Sequence, residues 1–286
     1  MTPKVSIVIP AYNNEQYIAE TLRSVLDQDF ENYEVVIADH SSNDRTAEII
    51  ESFAGHPKLR ILEPTPAGGG AVANWNRVSQ FATGEYIKLV CGDDLITRDA
   101  LRLQVAAIEA HPSAVLVSSR RDLIDANGVL FLRNRGLQGI EGLTSGTAAI
   151  RATVRSGTNI FGEPACSLFR RDLLGKIGWW DDTNPYLIDV ATLVRICRYG
   201  DMVAIRQSHA SFRVSASQWS VRLANRQAGQ AWAFQQALRS EDPRSVKRSD
   251  VALGHIRALA LSFLRRFAYV QLKRRMGHEH AVRSTT

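Results

Sequence analysis

Strand-like and helix-like hydrophobic patterns alternate along the first third of the chain. Residues 5–9 form a β-branched run closed by Pro10, and similar apolar runs cover residues 34–39, 59–62 and 85–90. Short continuous runs of this kind are typical of buried strands. The stretches between them carry apolar residues at helical spacing. Strands that alternate with helices in this way predict an α/β fold, with a mostly parallel sheet covered by helices on both faces.

Polar residues mark the expected helix starts. Asn13 or Asn14 is placed to cap the first helix, and Ser41 and Asp44 have the spacing of a capping box before the second. The run Gly68-Gly69-Gly70 leads into a third helix that extends to about residue 82.

Beyond residue 94 the alternation becomes less regular. The pattern predicts a strand over residues 114–118, a hairpin at Asn127-Gly128, and helices over residues 99–110, 143–155, 187–199, 219–239 and 250–275. The polar segment 240–250 contains Pro243 and is the clearest boundary. We therefore expect a main domain over residues 1–240, with halves 1–98 and 99–240, and a helical appendage over residues 241–286.

The bulk composition limits the class of protein. The chain has 286 residues, of which 45% are hydrophobic, which is enough to fill the core of one large domain. Three well-separated cysteines without C-x-x-C spacing argue against a disulfide framework or a structural zinc site. We see no export leader and no apolar run of about 20 residues. The expected location is the cytoplasm, with peripheral attachment to the inner face of the membrane as an option.

Acidic residues follow two of the predicted strands. Asp39 ends the second strand, and Asp93 and Asp94 come shortly after the fourth. Ligands of parallel α/β sheets bind at the carboxyl ends of the strands. There the carboxylates suit a ribose, a base edge, or a divalent cation that also binds a diphosphate. Equally, Asp39 and Asp94 are placed to cap helices. No G-x-G-x-x-G follows the first strand, which disfavours a dinucleotide site.

Several short motifs then occur in a familiar order. They are Ile7-Val8-Ile9-Pro10-Ala11-Tyr12-Asn13, Asp39-His40-Ser41-Ser42-Asn43-Asp44, Asn74-Trp75-Asn76-Arg77, Ala82-Thr83-Gly84-Glu85-Tyr86-Ile87, Asp93-Asp94, Ser167-Leu168-Phe169-Arg170-Arg171, Ile177-Gly178-Trp179-Trp180-Asp181 and Asp189-Val190-Ala191-Thr192-Leu193-Val194-Arg195. Together they resemble the family 2 glycosyltransferases, which have the GT-A fold. The resemblance covers about three quarters of the chain.

The resemblance implies roles for individual residues. The nucleotide would be bound by Pro10, Ala11, Tyr12, Asp39 and Asn76, all in the half formed by residues 1–98. Metal binding is implied for Asp93 and its neighbour Asp94, with Mg2+ or Mn2+ as the cofactor. In the acceptor half, residues 99–240, Asp189 matches the catalytic base.

The implied reaction is an inverting transfer of a hexosyl or deoxyhexosyl group. The donor would be a UDP- or dTDP-type nucleotide sugar, and the acceptor a carbohydrate or a lipid-linked glycan, as in polysaccharide biosynthesis. Asp189 would take the proton of the acceptor hydroxyl as that oxygen attacks the anomeric carbon.

Three positions depart from the family pattern. Cys91 stands where the D-x-D motif usually begins, His40 replaces the second acid of a D-D pair, and Ser215 stands where a metal-binding histidine often occurs. We interpret Cys91 as a packing residue and His209 as structural. A non-catalytic nucleotide-sugar-binding descendant is one alternative. A sugar-1-phosphate nucleotidyltransferase is another, although its basic phosphate loop is not found after the first strand.

The C-terminal segment mixes apolar and basic residues. Ile256, Leu259 and Phe263 alternate with Arg257 and Arg265 in a chain whose formal net charge is +6. A basic amphipathic helix of this type binds anionic membrane surfaces. A core helix with a solvated basic face explains the same pattern. No nucleic-acid-binding motif accompanies the arginines, so we expect no nucleic-acid partner.

Overall fold

The computed structural model describes residues 2–214 and 227–261. The strands in these ranges are β1 (Val5–Ala11), β2 (Tyr33–Asp39), β3 (Leu59–Ile61), β4 (Tyr86–Leu89), β5 (Leu95–Ile96), β6 (Ala114–Asp125), β7 (Leu130–Arg135), β8 (Gly142–Thr144), β9 (Ser167–Arg170) and β10 (Asp201–Val214). The helices are α1 (Ile18–Leu26), α2 (Thr46–Glu51), α3 (Gly70–Gln80), α4 (Ala100–Glu109), α5 (Gly146–Ser156), α6 (Arg171–Lys176), α7 (Ile188–Ile196), α8 (Gln227–Glu241) and α9 (248–261).

One sheet joins all of these strands, in the order β3-β2-β1-β4-β9-β6-β10-β5, with β7 beside β6 and β8 beside β10. In the described part of the chain, six strands run in one direction: β1, β2, β3, β4, β6 and β10. Between β4 and β6, the antiparallel strand β9 divides the sheet into its two halves. The predicted α/β class with a mostly parallel sheet is confirmed.

Helices cover both faces because the central strands are apolar on both sides. In β1, Val8 packs into one core with Val78 of α3 and Val194 of α7. Its neighbours Ile7 and Ile9 pack into the other core, where α1 and α4 contribute their apolar faces. This alternation is what a strand buried on both faces requires.

Two of the predicted helix caps are wrong. The side chain of Asn14 accepts a hydrogen bond from the backbone N–H of Tyr12 (2.8 Å) and does not cap α1. The hydroxyl of Ser41 donates to the carbonyl of Thr65 (2.8 Å), while Asp44 accepts from the N–H of Thr46 at the start of α2 (3.0 Å). Asn14 bonds within its own loop, whereas Ser41 bonds to the loop after β3, a contact that local sequence patterns do not encode.

The start of the C-terminal appendage packs on the main domain. Asp250 is fully buried and forms ion pairs with Arg151 (2.8 Å) and Arg155 (2.6 Å) of α5. Val246 and Val251 join the core that contains Val8. Gly254 lies against α5, where an added Cβ would come within 2.0 Å of the carbonyl of Val154. These contacts hold the helix over residues 248–261 against the main domain. The division of the chain at residue 240 stays a prediction.

The remaining helical predictions extend outside the described residues. The predicted helix 219–239 is described from residue 227, and the predicted helix 250–275 up to residue 261. The helix expected over 143–155 begins three residues later, because Leu143 belongs to β8. Within the described ranges, no helix has the length and apolarity needed to cross a membrane.

Candidate functional site

The carboxyl ends of β1, β2 and β4 meet at one edge of the sheet. Ala11 pairs in register with Asp39, and Val8 with Leu89, so the loops after all three strands are neighbours. Asn74 of α3 ties two of these ends together, since its amide donates to the carbonyls of Ala11 (3.2 Å) and Ala38 (3.0 Å). Its oxygen accepts from the hydroxyl of Thr65 (2.6 Å).

Asn74 has no predicted role in the site. A polar residue on the buried face of an amphipathic helix nevertheless needs hydrogen-bond partners, so the pattern of α3 already marks this position. Which partners it finds depends on strand ends that lie more than 30 residues away, as with Ala38. The residue fixes the floor of the site.

Asp39 shapes the loop that faces Tyr12. Its carboxylate accepts from the backbone N–H (2.9 Å) and the hydroxyl (2.5 Å) of Ser42. The hydroxyl of Ser42 in turn accepts from the N–H of Asn13 (2.9 Å), which lies after β1. Tyr12 is 52% exposed, and its ring lies 5.8 Å from that of His40.

The predicted nucleotide residues Tyr12 and Asp39 are therefore brought together. Pro10 and Ala11 are buried beneath them. Asn76 is placed differently: its amide donates to the carbonyl of Trp180 (3.1 Å) and its oxygen accepts from the N–H of Trp180 (3.0 Å). These bonds hold the segment of Trp180 against α3, so any effect of Asn76 on a nucleotide would be indirect.

The loop after β4 carries Asp93 and Asp94. Asp94 is 1% exposed, and its carboxylate accepts from the backbone N–H of Arg213 at 3.2 Å. Burial raises the pKa of the Asp94 carboxyl well above its ordinary value, and the charge of the half-buried Asp93 adds to the shift. Thr21 donates to the carbonyl of Asp94 (2.9 Å), which anchors the loop to α1.

Arg213 is a buried cation beside this loop that sequence reasoning missed. Its guanidinium donates to the carbonyl of Asp93 (3.1 Å) and to the carboxylate of Glu20 (2.6 Å), and lies 4.6 Å from the ring centre of Tyr17. A buried arginine with these partners offsets part of the negative charge of the loop. Arg213 lies near the end of β10, 120 positions after Asp93, so no local sequence pattern relates the two residues.

A tight contact links the loop after β1, which contains Tyr12 and Asn14, to the loop after β4, which contains Asp93 and Asp94. A Cβ added to Gly92 would lie 2.5 Å from the side-chain oxygen of Asn14. That oxygen already accepts from the N–H of Tyr12. A side chain at position 92 would have to displace the Asn14 side chain and its hydrogen bond to Tyr12, so glycine permits this close approach.

Cys91 lies among the carboxylates of the site. It is half-buried and packs against the core, as expected for a packing residue. Burial raises the pKa of its thiol well above the ordinary value, and the charges of Asp94, Asp93, Asp189 and Glu163 raise it further. The thiol is neutral at physiological pH, and the charges of four carboxylates from three separate segments act on it.

Asp189 stands in the first turn of α7. Its carboxylate accepts from the side-chain amide of Asn159 at 2.8 Å. Burial raises the pKa of Asp189 from the ordinary 3.8 to about 7, the backbone N–H of Val190 opposes this shift, and the charge of Glu163 adds to it. A carboxyl with a pKa close to the working pH is suited to general-base catalysis. Since the charges of Asp93, Asp94 and Asp189 all act on the Cys91 thiol, the fold brings the three acids to the same region.

The family assignment follows from sequence and fold together. A sequence model of glycosyl transferase family 2 matches residues 6–178. The match spans more than half of the chain and includes β1 and the acidic residues Asp39, Asp93 and Asp94. The chain belongs to glycosyl transferase family 2.

Individual members of the family resemble parts of the chain. TarS of Staphylococcus aureus, a poly(ribitol-phosphate) beta-N-acetylglucosaminyltransferase, is 35% identical over 116 residues, which are 40% of this chain and 20% of TarS. Glycosyltransferase GlyG of Streptococcus pneumoniae is 27% identical over 132 residues, which are 46% of this chain and 44% of GlyG. The chain thus spans less than half the length of either relative.

Solved structures of glycosyltransferases share the fold. Residues 1–349 of S. aureus TarS in complex with UDP-GlcNAc superpose with a TM-score of 0.63 and 20% identity, covering 83% of this chain and 71% of that one. The mannosyltransferase PcManGT from Pyrobaculum calidifontis, in complex with GDP-Man and Mn2+, gives a TM-score of 0.65 and 20% identity, covering 99% and 81%. The predicted GT-A fold is confirmed.

Asp181 of this family 2 member is less suited than Asp189 to act as a base. Asp181 accepts from the hydroxyl (2.6 Å) and the N–H (2.9 Å) of Thr183 and forms an ion pair with Arg195 (2.9 Å). The hydrogen bond from Thr183 is the largest cause that lowers the pKa of Asp181. Such a stabilised carboxylate is a weak proton acceptor.

Metal binding at this site would rest on the acidic loop after β4. Within residues 2–214 and 227–261, no group of three or more His, Cys, Asp or Glu side chains is arranged to hold a metal ion. Hard divalent cations at diphosphates need only one or two protein carboxylates. The half-buried Asp93 is the accessible acid of this loop, whereas Asp94 is 1% exposed and its raised pKa favours the neutral form. Ser215 lies outside the described residues. His209 is buried, with its ring 3.2 Å from the hydroxyl of Thr97, which fits the predicted structural role.

Proposed function

We propose that the protein is an inverting glycosyltransferase that transfers a hexosyl or deoxyhexosyl group from a nucleotide diphosphate donor to a hydroxyl of a carbohydrate or lipid-linked glycan. The observation that carries this proposal is the position of Asp189. Its carboxyl has a pKa of about 7, is held by the side-chain amide of Asn159 (2.8 Å), and acts on the same Cys91 thiol as the charges of Asp93 and Asp94.

The donor assignment rests on the strand-end loops. Tyr12 and His40 present aromatic rings beside the carboxylate of Asp39, which suits a base and a ribose. TarS, which has the same fold, forms complexes with UDP and with UDP-GlcNAc. We therefore infer a UDP- or dTDP-type donor for this chain.

The transfer step uses two carboxylates, with Asp189 as the base and Asp93 as the ligand of a cation. The acceptor hydroxyl gives its proton to Asp189 while its oxygen forms a bond to the anomeric carbon. The bond from that carbon to the diphosphate oxygen breaks on the opposite face, and the nucleoside diphosphate leaves with the electron pair. Asp93, which is more accessible than Asp94, would hold Mg2+ or Mn2+, and a bound cation stabilises the charge of the leaving diphosphate.

The C-terminal helix adds a second element to the proposal. In α9, Ile256 is 65% and Leu259 is 40% exposed, next to the exposed Arg257. An apolar and basic surface of this type suits an anionic membrane. We therefore propose peripheral membrane attachment, which would bring the site close to a lipid-linked acceptor.

A binding screen followed by a transfer assay tests the proposal. Thermal shifts would be recorded with UDP-, dTDP- and GDP-sugars, each with and without Mn2+. We expect stabilisation by one UDP- or dTDP-sugar, and release of its nucleoside diphosphate on incubation. Stabilisation without any hydrolysis or transfer would favour the non-catalytic nucleotide-sugar-binding protein. Incorporation of a sugar-1-phosphate into a nucleotide sugar would favour a nucleotidyltransferase.

A further inference from the structure

Asn159 makes hydrogen bonds through both ends of its side-chain amide. It lies in the loop between α5 and β9, where its oxygen accepts from the backbone N–H of Phe161 (2.9 Å). Its NH2 group donates to the carbonyl of Gly162 (2.7 Å) and to the carboxylate oxygen Oδ2 of Asp189 (2.8 Å). The first two bonds fix which end of the amide is which, so the NH2 group is turned toward Asp189.

The bond to Asp189 crosses between elements that are far apart in sequence. It joins the loop after α5 to the first turn of α7, 30 positions along the chain. A carboxylate held at one oxygen by a fixed donor loses rotational freedom, and its other oxygen then has a defined direction. Enzymes commonly orient a base through such a neighbour, which does not itself touch the reacting atoms.

We propose that Asn159 is a positioning residue for the base, which holds Asp189 by Oδ2 and favours its ionised form. This inference rests on the proposed function, because it assumes that Asp189 accepts the acceptor proton. Asn159 is neutral, so it stabilises the carboxylate by hydrogen bonding alone and adds no charge to the cluster.

Two charged groups, Glu163 and Arg121, also act on the ionisation of Asp189. Glu163, from the same loop as Asn159, disfavours ionisation of Asp189, and Arg121 of β6 favours it. These two groups are themselves paired, with an Arg121 Nη2 to Glu163 Oε1 distance of 2.9 Å, so their effects on Asp189 partly cancel. Cys91, from the loop after β4, is neutral. Among these groups, Asn159 is the neutral donor that contacts the Asp189 carboxylate directly.

Removal of the donor has two expected effects. Asn159→Ala leaves the carboxylate of Asp189 with one bond fewer, so turnover should fall about ten- to a hundredfold, as for loss of a hydrogen bond to a charged group. Binding of UDP in the presence of Mn2+ should stay within about twofold. The acid limb of the pH–rate profile should move to higher pH, because loss of the donor raises the pKa of the base.

Two further variants separate positioning from folding of the loop. Asn159→Asp keeps an oxygen for the N–H of Phe161 but replaces the donor with a second carboxylate, so the acid limb should move further than in Asn159→Ala. Ser156→Ala is the matched control. The Ser156 hydroxyl bonds the carbonyls of Thr153 and Thr158 at the start of the same loop and does not contact Asp189. Its turnover and pH profile should stay unchanged.

A double-mutant cycle with Asp189→Asn decides the inference. If Asn159 acts through the base, Asn159→Ala should reduce the residual rate of Asp189→Asn by less than about twofold. A further tenfold loss in that background, or an acid limb that does not move in either Asn159 variant, would overturn it. The pH dependence of thermal unfolding, measured without any substrate, gives an independent readout. Normal turnover of Asp189→Asn itself would overturn the proposed mechanism instead.

Discussion

Replacement of Asp189 by asparagine should lower activity and raise stability at the same time. Asparagine keeps the size of the side chain and an oxygen for the bond from Asn159, but it cannot take the acceptor proton. A positioned base contributes about 10²–10⁴-fold in rate, so turnover should fall by that order. Donor affinity should be retained, because only the transition state uses the base.

The stability gain follows from the pKa of Asp189. The pKa is 3.8 ordinarily and about 7 in the folded protein, so between these values the folded state binds more protons than the unfolded chain. Stability therefore falls as pH rises through this window. The full effect is at most about 4 kcal/mol, and we expect about 2 because the side chain is only half-buried. Asp189→Asn removes this effect, and its Tm should rise by about 4 °C at pH 8.

Two measurements check both parts of this reasoning. Differential scanning calorimetry of both proteins at pH 4 and pH 8 should give a Tm difference that is small at pH 4 and largest at pH 8. For the wild type, kcat/KM should rise about tenfold per pH unit below pH 7 and level off above it. A Tm difference that is equal at both pH values would refute the raised pKa. Near-normal turnover would place the base elsewhere, and lost donor binding would make Asp189 structural.

Three further predictions concern the metal ligand, the thiol and the C-terminal helix. Asp93→Ala should abolish the Mn2+ dependence of UDP binding in isothermal titration, and an unchanged dependence would exclude this metal ligand. Cys91→Ala should keep activity within a few fold because the thiol is neutral, whereas Cys91→Asp should move the acid limb of the pH–rate profile upward; a large loss in the folded alanine variant would contradict the packing role. Replacement of Ile256 and Leu259 by serine should reduce cosedimentation with anionic liposomes without weakening UDP binding, and equal sedimentation would remove the membrane role. These point changes are preferable to truncation at Asp250, which would leave Arg151 without its buried partner.

The strands and the edge that carries the site could be predicted from the sequence because both depend on short-range patterns. A continuous apolar run identifies each parallel strand, and the rule that ligands bind at strand carboxyl ends then selects Asp39, Asp93 and Asp94. The structure places these residues at that edge. Asp189 could be predicted only through the family resemblance, since a lone acid at a helix start has no distinguishing local pattern.

The supporting contacts could not be predicted because they join segments that are distant in sequence. Arg213 reaches the carbonyl of Asp93 across 120 positions, and Gly92 lies directly against the side chain of Asn14 in the loop after β1. The cap of α2 failed for the same reason, because the hydroxyl of Ser41 bonds to Thr65 in the loop after β3. The cap of α1 failed for a local reason, because the side chain of Asn14 bonds to the N–H of Tyr12 in its own loop.

The thiol at position 91 is consistent with a base at position 189. Four carboxylates already raise the pKa of Cys91, and Asp189 is one of them. Coulomb interactions are mutual, so an ionised aspartate at position 91 would raise the pKa of Asp189 above its value of about 7. The base would then be largely protonated at neutral pH. With a neutral thiol in that place, Asp189 stays close to half-ionised there, and Asp93 still supplies a carboxylate for a cation. Under the proposed mechanism, a neutral thiol at the first position of the D-x-D motif leaves the pKa of Asp189 near neutrality, so Cys91 does not by itself indicate an inactive protein.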